Sequence, residues 1–549
     1  MVALLALCSW SVRAASGERW LKVAAPEFTV ITTLGEKDAL AWTGEFAQFV
    51  AALQDFIRVN PQRLPRLTLV VFARERDFER FHPMRENGTA SEVAGYFARR
   101  PSWAVAGMGG LRMNDETRRT IFHEGTHWFT SGFELPNPMW LEEGLAEVFS
   151  TFAIEGKKLT WGRAIDSHVR VLRLIEPIPL EQLLFLSRDL LHGEGEIASL
   201  VTGISYAQSW AFVHYLIFGQ REVPKGSLVD YVRRLRSAEH PDEAFKQAFG
   251  GSYADVHKKL VSYLRGGRYF VTEMPLRPLP PLKAEPASVL EVEEALARLR
   301  MAAHRYGEAR GNIERAIAAA PDNPRVYELQ GEFAQETDDK EAALAAYRMA
   351  IEKGSQDFKP YYEIASHEHR EGSLTPEKAR VVATRYERAI NLNPRFREAY
   401  EGLGAVVGVV PPGNTEDAKF LELGLKLYPD AGMVKLGLAT IAKREGNMER
   451  AKALVKEVLE STTGQPKHVL DYARRLDGAW IQKDIGEQVN ALTKERKYTE
   501  ALALIDKQLE EGVDIPTRQK LQPMRERLQV SLAMEEARTA YNARRYEEA

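Results

Sequence analysis

Ile121-Phe122-His123-Glu124-Gly125-Thr126-His127-Trp128-Phe129 is the stretch on which the reading of this chain turns. On a helix, residues four apart sit on one face, one turn apart, so His123 and His127 face the same way. Two imidazoles at that spacing can share one metal ion. Glu124 follows the first, where its carboxylate reaches a metal-bound water as a general base. A helix is expected here independently of any metal. Asn114 or Asp115 can cap it, Glu116 lies in the first turn and Gly132 ends it, while Ile121, Phe122, Trp128 and Phe129 supply an apolar face. The five residues 123–127 alone leave a second reading open, a pair of ordinary histidines on an amphipathic helix.

Working downstream, Pro138-Met139-Trp140-Leu141-Glu142-Glu143-Gly144-Leu145-Ala146-Glu147 reads as a second helix, with Asn137 as cap and Pro138 at its first position. A catalytic zinc takes three protein ligands and keeps one position open. The chain has a single cysteine, Cys8, so the third ligand is expected to be a carboxylate. The pattern Trp140-Leu141-x-Glu143-Gly144-x-Ala146 resembles the third-ligand region of gluzincins, the thermolysin- and aminopeptidase-like zinc peptidases. That resemblance implies Zn2+ held by His123, His127 and Glu143, with Glu124 catalytic. Glu142 is the runner-up ligand, about 100° away around the helix. It also implies that Glu147, one turn on, hydrogen-bonds a ligating histidine and so fixes its tautomer; a solvated helix charge is the alternative. Metzincins would need glycine at 130 and histidine at 133, where Thr130 and Phe133 stand.

Residues 205–216 read as an amphipathic helix. Gluzincin-like proteins carry a similar Tyr-x-x-Ser/Ala segment after the ligand helix, which makes Tyr206 the candidate donor to an oxyanion; an ordinary buried tyrosine is the competing reading. His214 and Tyr215 are weaker candidates, and His168 and His192 are expected at the surface. The stretch 107–114 lacks the Gly-x-Met-x-Asn spacing of aminopeptidases, which argues against that activity. The resemblance spans about residues 25–270, with its sharp features confined to 123–147.

Upstream, the runs 28–33 and 67–72 are β-branched and read as strands, 39–57 as a helix, and 103–106 as a weaker strand closed by Gly109 and Gly110. The segment 93–106 is expected to contain an edge strand able to pair with an extended substrate. From 114 to 271 the pattern is mostly helical. Four prolines between 274 and 281 then exclude a helix or a central strand and mark a linker.

Beyond it the sequence repeats. Ala309 and Ala342 are 33 apart, Ala316 and Ala350 34 apart, Pro394 and Pro429 35 apart. Small residues at helix contacts and proline closing the second helix, at a period near 34, resemble tetratricopeptide (TPR) repeats. Tyr386-Glu387-Arg388-Ala389-Ile390-Asn391-Leu392-Asn393-Pro394 is the cleanest unit. Gly446-Asn447-Met448-Glu449-Arg450-Ala451 and Tyr498-Thr499-Glu500-Ala501 continue the series, and an insertion precedes Ala389. The array is expected to break off at Tyr546-Glu547-Glu548-Ala549, without a polar capping helix.

The expected organisation is therefore a signal peptide at 1–15, a gluzincin-like domain at 18–272, a proline-rich linker at 273–289 and TPR repeats at 290–549. In fold class this is an α+β zincin-like domain, a small sheet plus active-site helices, followed by an all-α solenoid. The first residues are apolar and lead to Val12-Arg13-Ala14-Ala15, a cleavage-like site without a positive start. A buried first helix is the alternative; a removed signal would place the chain in the periplasm or outside the cell. With 549 residues and a net charge of -3, no basic stripe points to nucleic acid and no apolar run of about 18 residues points to a membrane span. Two functions stand at this point. One is a zinc peptidase acting on a protein or peptide, with the repeats recruiting a partner; the other is a non-catalytic scaffold whose repeats bind a partner and whose zinc domain is structural.

Overall fold

The computed structural model describes residues 19–543, apart from 58–63, 85–88, 92, 94, 111–114, 133–137, 187–195, 220–223, 225, 237–240, 373, 414–415, 462–464, 512 and 514. The expected signal segment with Cys8, the cap positions Asn114 and Asn137, Phe133, His192 and the last residues 546–549 lie outside them. The chain divides into two compact units, Met1–Ser355 and Gln356–Ala549.

The first unit is built on a six-stranded sheet. Its strands are β1 (Leu21–Ala24), β2 (Phe28–Thr32), β3 (Arg66–Phe72), β4 (Gly95–Arg99), β5 (Trp103–Gly109) and a late strand, Ala284–Pro286. The order is β4-β5-β3-β2-β1 followed by that late strand. The β2–β3 and β3–β5 pairs are parallel, with Val30 opposite Leu69 and Val70 opposite Gly107. The pairs β4–β5 and β1–β2 are antiparallel. The runs read as strands at 28–33, 67–72 and 103–106 are found nearly in place, and β4 is the edge strand expected within 93–106.

Side chains alternate between the two faces of a strand, and here both faces are covered. Leu67, Leu69 and Val71 on β3, with Ala104, Ala106 and Met108 on β5, share a core with Phe46, Phe49 and Phe122. These come from helices α1 (Glu36–Ile57) and α3 (Asp115–Thr130), while the short α2 (Glu75–Phe78) lies between β3 and β4 in the chain. Val70 and Phe72, with Trp103 and Val105, belong to a second core completed by Val292, Ala295, Leu299, Ile313 and Phe333. This explains the near-continuous apolar runs of β3 and β5, since strands buried on both faces do not alternate in polarity.

After α3 come α4 (Met139–Ser150), the hairpin β6 (Ala153–Glu155) and β7 (Lys158–Trp161), α5 (Asp166–Leu174), α6 (Leu180–Leu184) and α7 (Glu196–Phe218). Pro138 is the N-cap of α4 rather than its first helical residue, with φ -56° and ψ 141°. Three further helices, Ser227–Arg236, Pro241–Phe249 and Tyr253–Gly266, close this part.

The proline-rich stretch is not the free linker expected at 273–289. Thr272–Pro275 pairs antiparallel with β7, and Ala284–Pro286 pairs antiparallel with β1. Both are sheet edges, where a residue without an N–H is tolerated. Between them, Gln48 Nε2 donates to the Arg277 carbonyl at 2.8 Å and the Arg277 N–H donates back to Gln48 Oε1 at 3.0 Å. The helices that follow, Val289–Ala302 and Tyr306–Ala319, supply the cover of the second sheet face, so the compact unit runs on to Ser355.

The helical hairpins match the repeat reading. Val289–Ala302 pairs with Tyr306–Ala319 and Pro324–Glu336 with Lys340–Glu352 in the first unit. In the second unit, Phe358–Arg370 pairs with Pro376–Leu392 and Gly432–Arg444 with Met448–Leu459. Ala309, Ala316, Ala350 and Ala389 are all fully buried at helix contacts. The insertion before Ala389 appears as a 17-residue helix where its partner has 13. Beyond Leu459 the spacing is lost, because Lys467–Lys494 and Ile515–Asn542 are each 28 residues long. No described helix is long and apolar enough to cross a membrane.

Candidate metal centre

Helix α3 is held against the core by its apolar face. Phe122 packs on Phe49 and Phe152, with ring centroids 4.7 and 5.0 Å apart, and the Trp128 indole donates to the Pro65 carbonyl at 3.0 Å. Gly125 is required by this packing, since a Cβ there would stand 2.9 Å from the Phe49 ring. Helix α4 lies against both α3 and α7. Gly144 permits the second approach: its Cβ would fall 2.6 Å from the Ser209 carbonyl oxygen and 2.4 Å from Val213. These two glycines let α3 pack closely on α1 and α4 pack closely on α7.

Where they meet, His123, His127 and Glu143 converge. The two Nε2 atoms are 3.1 Å apart, and Glu143 Oε2 lies 3.5 Å from His123 Nε2 and 3.4 Å from His127 Nε2. A tetrahedral centre with bonds of about 2.0–2.1 Å has ligand–ligand edges of about 3.3–3.4 Å, so the three separations fit one ion. Glu143 Oε2 is buried and faces both imidazoles. Two imidazole nitrogens and one carboxylate oxygen form a donor set suited to a tetrahedral divalent metal. Glu143, not Glu142, joins the histidines.

Burial alone would push the Glu143 carboxyl up, but hydrogen bonding and charge from His123 and His127 outweigh it and hold the group at about 2. His123 is raised: burial works against its charge, and Glu143, Glu147 and Glu124 outweigh that. Three carboxylates and two imidazoles so close together form a site preorganised for a cation.

Glu147 stands behind His123, with Oε1 3.5 Å from Nδ1. Its other oxygen faces Arg119 Nη2 at 3.3 Å and His168 Nε2 at 3.1 Å. Glu147 is only 7% exposed, so the solvated-charge reading does not hold. Burial would raise its carboxyl, and His168, His123 and Arg119 together hold it below its ordinary value. His168, expected at the surface, instead packs beside Glu147 and the Trp210 ring, 5.9 Å between centroids. Neither His168 nor Arg119 carries a sequence signal, because only the tertiary fold brings α5 and the first turns of α3 to Glu147.

Tyr206 on α7 lies with its ring nearly parallel to that of His123, 6.3 Å between centroids. Burial, and then the charge and hydrogen bond of Glu143, push its hydroxyl pKa up, which keeps the hydroxyl protonated. Glu124 points to a narrow cleft between α3 and the edge strand, shared with Thr120, Tyr96, Phe97 and Gly107. His214 and Tyr215 belong to the core. His214 Nδ1 lies 2.7 Å from the Tyr263 hydroxyl and Nε2 2.8 Å from the Gly162 carbonyl oxygen, and Tyr215 packs on Tyr263.

Residues 118–241, which hold every residue of this centre, match a family described as a protein of unknown function (DUF1570). No curated protein matches the chain. Among solved structures the chain is similar to helical-repeat proteins. One is YrrB, a TPR protein with an unusual peptide-binding site, at 13% identity and TM-score 0.28, covering 33% of this chain and 90% of that one. Another is TTC0263, a thermophilic TPR protein of Thermus thermophilus, at 17% identity and TM-score 0.22, covering 34% and 98%. A third is human IFIT1, solved as a dimer with PPP-AAAA, at 13% identity and TM-score 0.22, covering 68% and 86%.

Proposed function

We propose that the first unit is a zinc-dependent, gluzincin-like peptidase and that the TPR-like hairpins bind a protein partner or the substrate itself. The observation that carries this reading is the convergence of His123, His127 and Glu143 on one point, with Glu124 next to His123 in the chain. A purely structural metal site has no use for a free carboxylate at position 124. Zinc, when bound, supplies a Lewis acid that makes water nucleophilic near neutral pH and polarises a carbonyl. Glu124 takes the proton of the attacking water and returns it to the leaving amine. Tyr206 donates its O–H to the oxygen on which negative charge develops. Glu147 fixes the ring of His123 through Nδ1. The free edge of β4 offers backbone groups to an extended peptide beside Glu124. The apolar start of the chain supports an extracytoplasmic site of action, periplasmic or secreted.

The second reading, a non-catalytic interaction scaffold, is favoured by the helical hairpins that fill the chain from Val289 onward. A peptide-library cleavage assay with zinc-loaded chain separates the two. Under the peptidase reading, wild type cleaves, chelator abolishes cleavage, and Glu124→Gln keeps its metal but loses about 10²–10⁴-fold in rate. Zinc-loaded wild type without cleavage supports the scaffold, and full activity in Glu124→Gln refutes the role given to that residue.

A further inference from the structure

Glu147 is held from three sides. His123 Nδ1 faces one oxygen at 3.5 Å. Arg119 Nη2, from the first turns of α3, and His168 Nε2, from α5, face the other at 3.3 and 3.1 Å. The His168 nitrogen is buried and faces the Glu147 carboxylate. The His168 ring is itself wedged against Trp210, a fully buried residue of α7, the helix that also carries Tyr206. A carboxylate that contacts a ligating imidazole orients it only as well as the carboxylate itself is fixed. A glutamate side chain has three rotatable bonds, and holding it in one rotamer costs conformational entropy.

We infer that His168 and Arg119 are positioning residues for the metal centre: they clamp Glu147, and Glu147 in turn fixes the ring of His123. This rests on the reading of His123, His127 and Glu143 as metal ligands. The clamp ties the orientation of one ligand to α5, an element that contributes no ligand of its own. Arg119 is half-exposed and His168 mostly buried, at 39% and 14% side-chain exposure. The screened guanidinium therefore contributes less than the imidazole.

The test is zinc affinity of the full chain, measured by competition with a chromophoric chelator, together with the visible spectrum of the cobalt(II)-substituted protein. Loss of such a supporting contact typically weakens metal binding about 10–100-fold. Glu147→Gln is expected in that range, with His168→Ala about tenfold weaker than wild type and a shifted cobalt spectrum. His168→Gln, which keeps a donor, recovers most of the affinity. His168→Ala adds nothing further in a Glu147→Gln background, because both act along one chain of contacts. Apo-protein melting temperatures of the variants control for a general loss of fold. The proposal is overturned if His168→Ala binds zinc and cobalt as wild type does while Glu147→Gln is weakened, or if the two changes add. A wild type that takes up no zinc, and is indistinguishable from Glu143→Ala, overturns the metal reading itself and this proposal with it.

Discussion

At the scale of single residues, the fold gives its histidines opposite tasks. His123 is surrounded by three carboxylates and is raised, whereas His214, on α7, is buried among Trp210, Phe218, Tyr263 and Tyr269. Burial lowers the His214 pKa from 6.5 to about 4, with hydrogen bonds that the ring donates to backbone carbonyls opposing it in part. The neutral ring is the form the fold accepts. Above pH 6.5 neither state carries the proton. As pH falls from 6.5 to 4 the unfolded chain gains it first, and the native state loses about 3 kcal/mol over that window. Urea midpoints of wild type and His214→Gln at pH 7 and pH 4.5 check this. The wild type is expected to lose more between the two than the variant, and equal losses contradict the assignment. The spacing of His123 and His127 made their shared face legible in the sequence, and the resemblance around Trp140-Leu141-x-Glu143-Gly144-x-Ala146 pointed to Glu143, which the fold brings to them. His168 stands 21 residues beyond Glu147 and on another helix. Its place beside Glu147 depends on how α5 packs, which no local pattern records.

At the scale of elements, the site is the seam between α3 and α4, and Gly144 sets how closely α4 packs on α7 behind that seam. Gly144→Ala places a Cβ against the backbone oxygen of Ser209, which cannot rotate away. Helix α4 must shift off α7, at a cost of about 1–3 kcal/mol, and Glu143 moves with it. Thermal unfolding and zinc titration of Gly144→Ala are both expected to show loss. Gly203→Ala on α7, where nothing lies within 4 Å of the added Cβ, is expected to be neutral or stabilising by up to about 1 kcal/mol. The opposite ranking contradicts the packing account. Helices α1, α3, α4 and the repeats were readable from periodicity. The short strands β1 and Ala284–Pro286 were not, because three or four residues carry too little pattern. Proline excludes a helix and a central strand but leaves a sheet edge open, and at Thr272–Pro275 and Ala284–Pro286 the chain takes that option.

At the scale of the whole molecule, the repeat array and the sheet are not separable where the sequence draws its line. The face of the sheet carrying Val70, Phe72, Trp103 and Val105 is covered by Val292, Ala295, Leu299 and Phe333. Charged groups frame this contact: Arg298 pairs with Glu294 at 2.6 Å and Glu332 at 3.2 Å, and Arg100 pairs with Glu336. Tyr96, on the edge strand beside Glu124, donates its hydroxyl to the Leu299 carbonyl at 2.8 Å. Exposing even a few such side chains costs about 1.5–3 kcal/mol each, against a domain stability of about 5–15 kcal/mol. A chain ending at 272 is therefore expected to lose cooperative unfolding and aggregate. A chain ending at 355 keeps the second core and unfolds in one transition by near-ultraviolet circular dichroism. A well-folded 19–272 fragment contradicts this division. The sequence hid it because an apolar strand face does not say which helix covers it.

The central claim, that α3 and α4 together build a metal centre, meets its most direct test in the zinc content of the purified full chain after equilibration with zinc and removal of the excess. The account predicts about one zinc per chain in wild type and in Glu124→Gln, and close to none in His123→Ala and Glu143→Ala. Wild type without zinc, or His123→Ala loaded as fully as wild type, contradicts it.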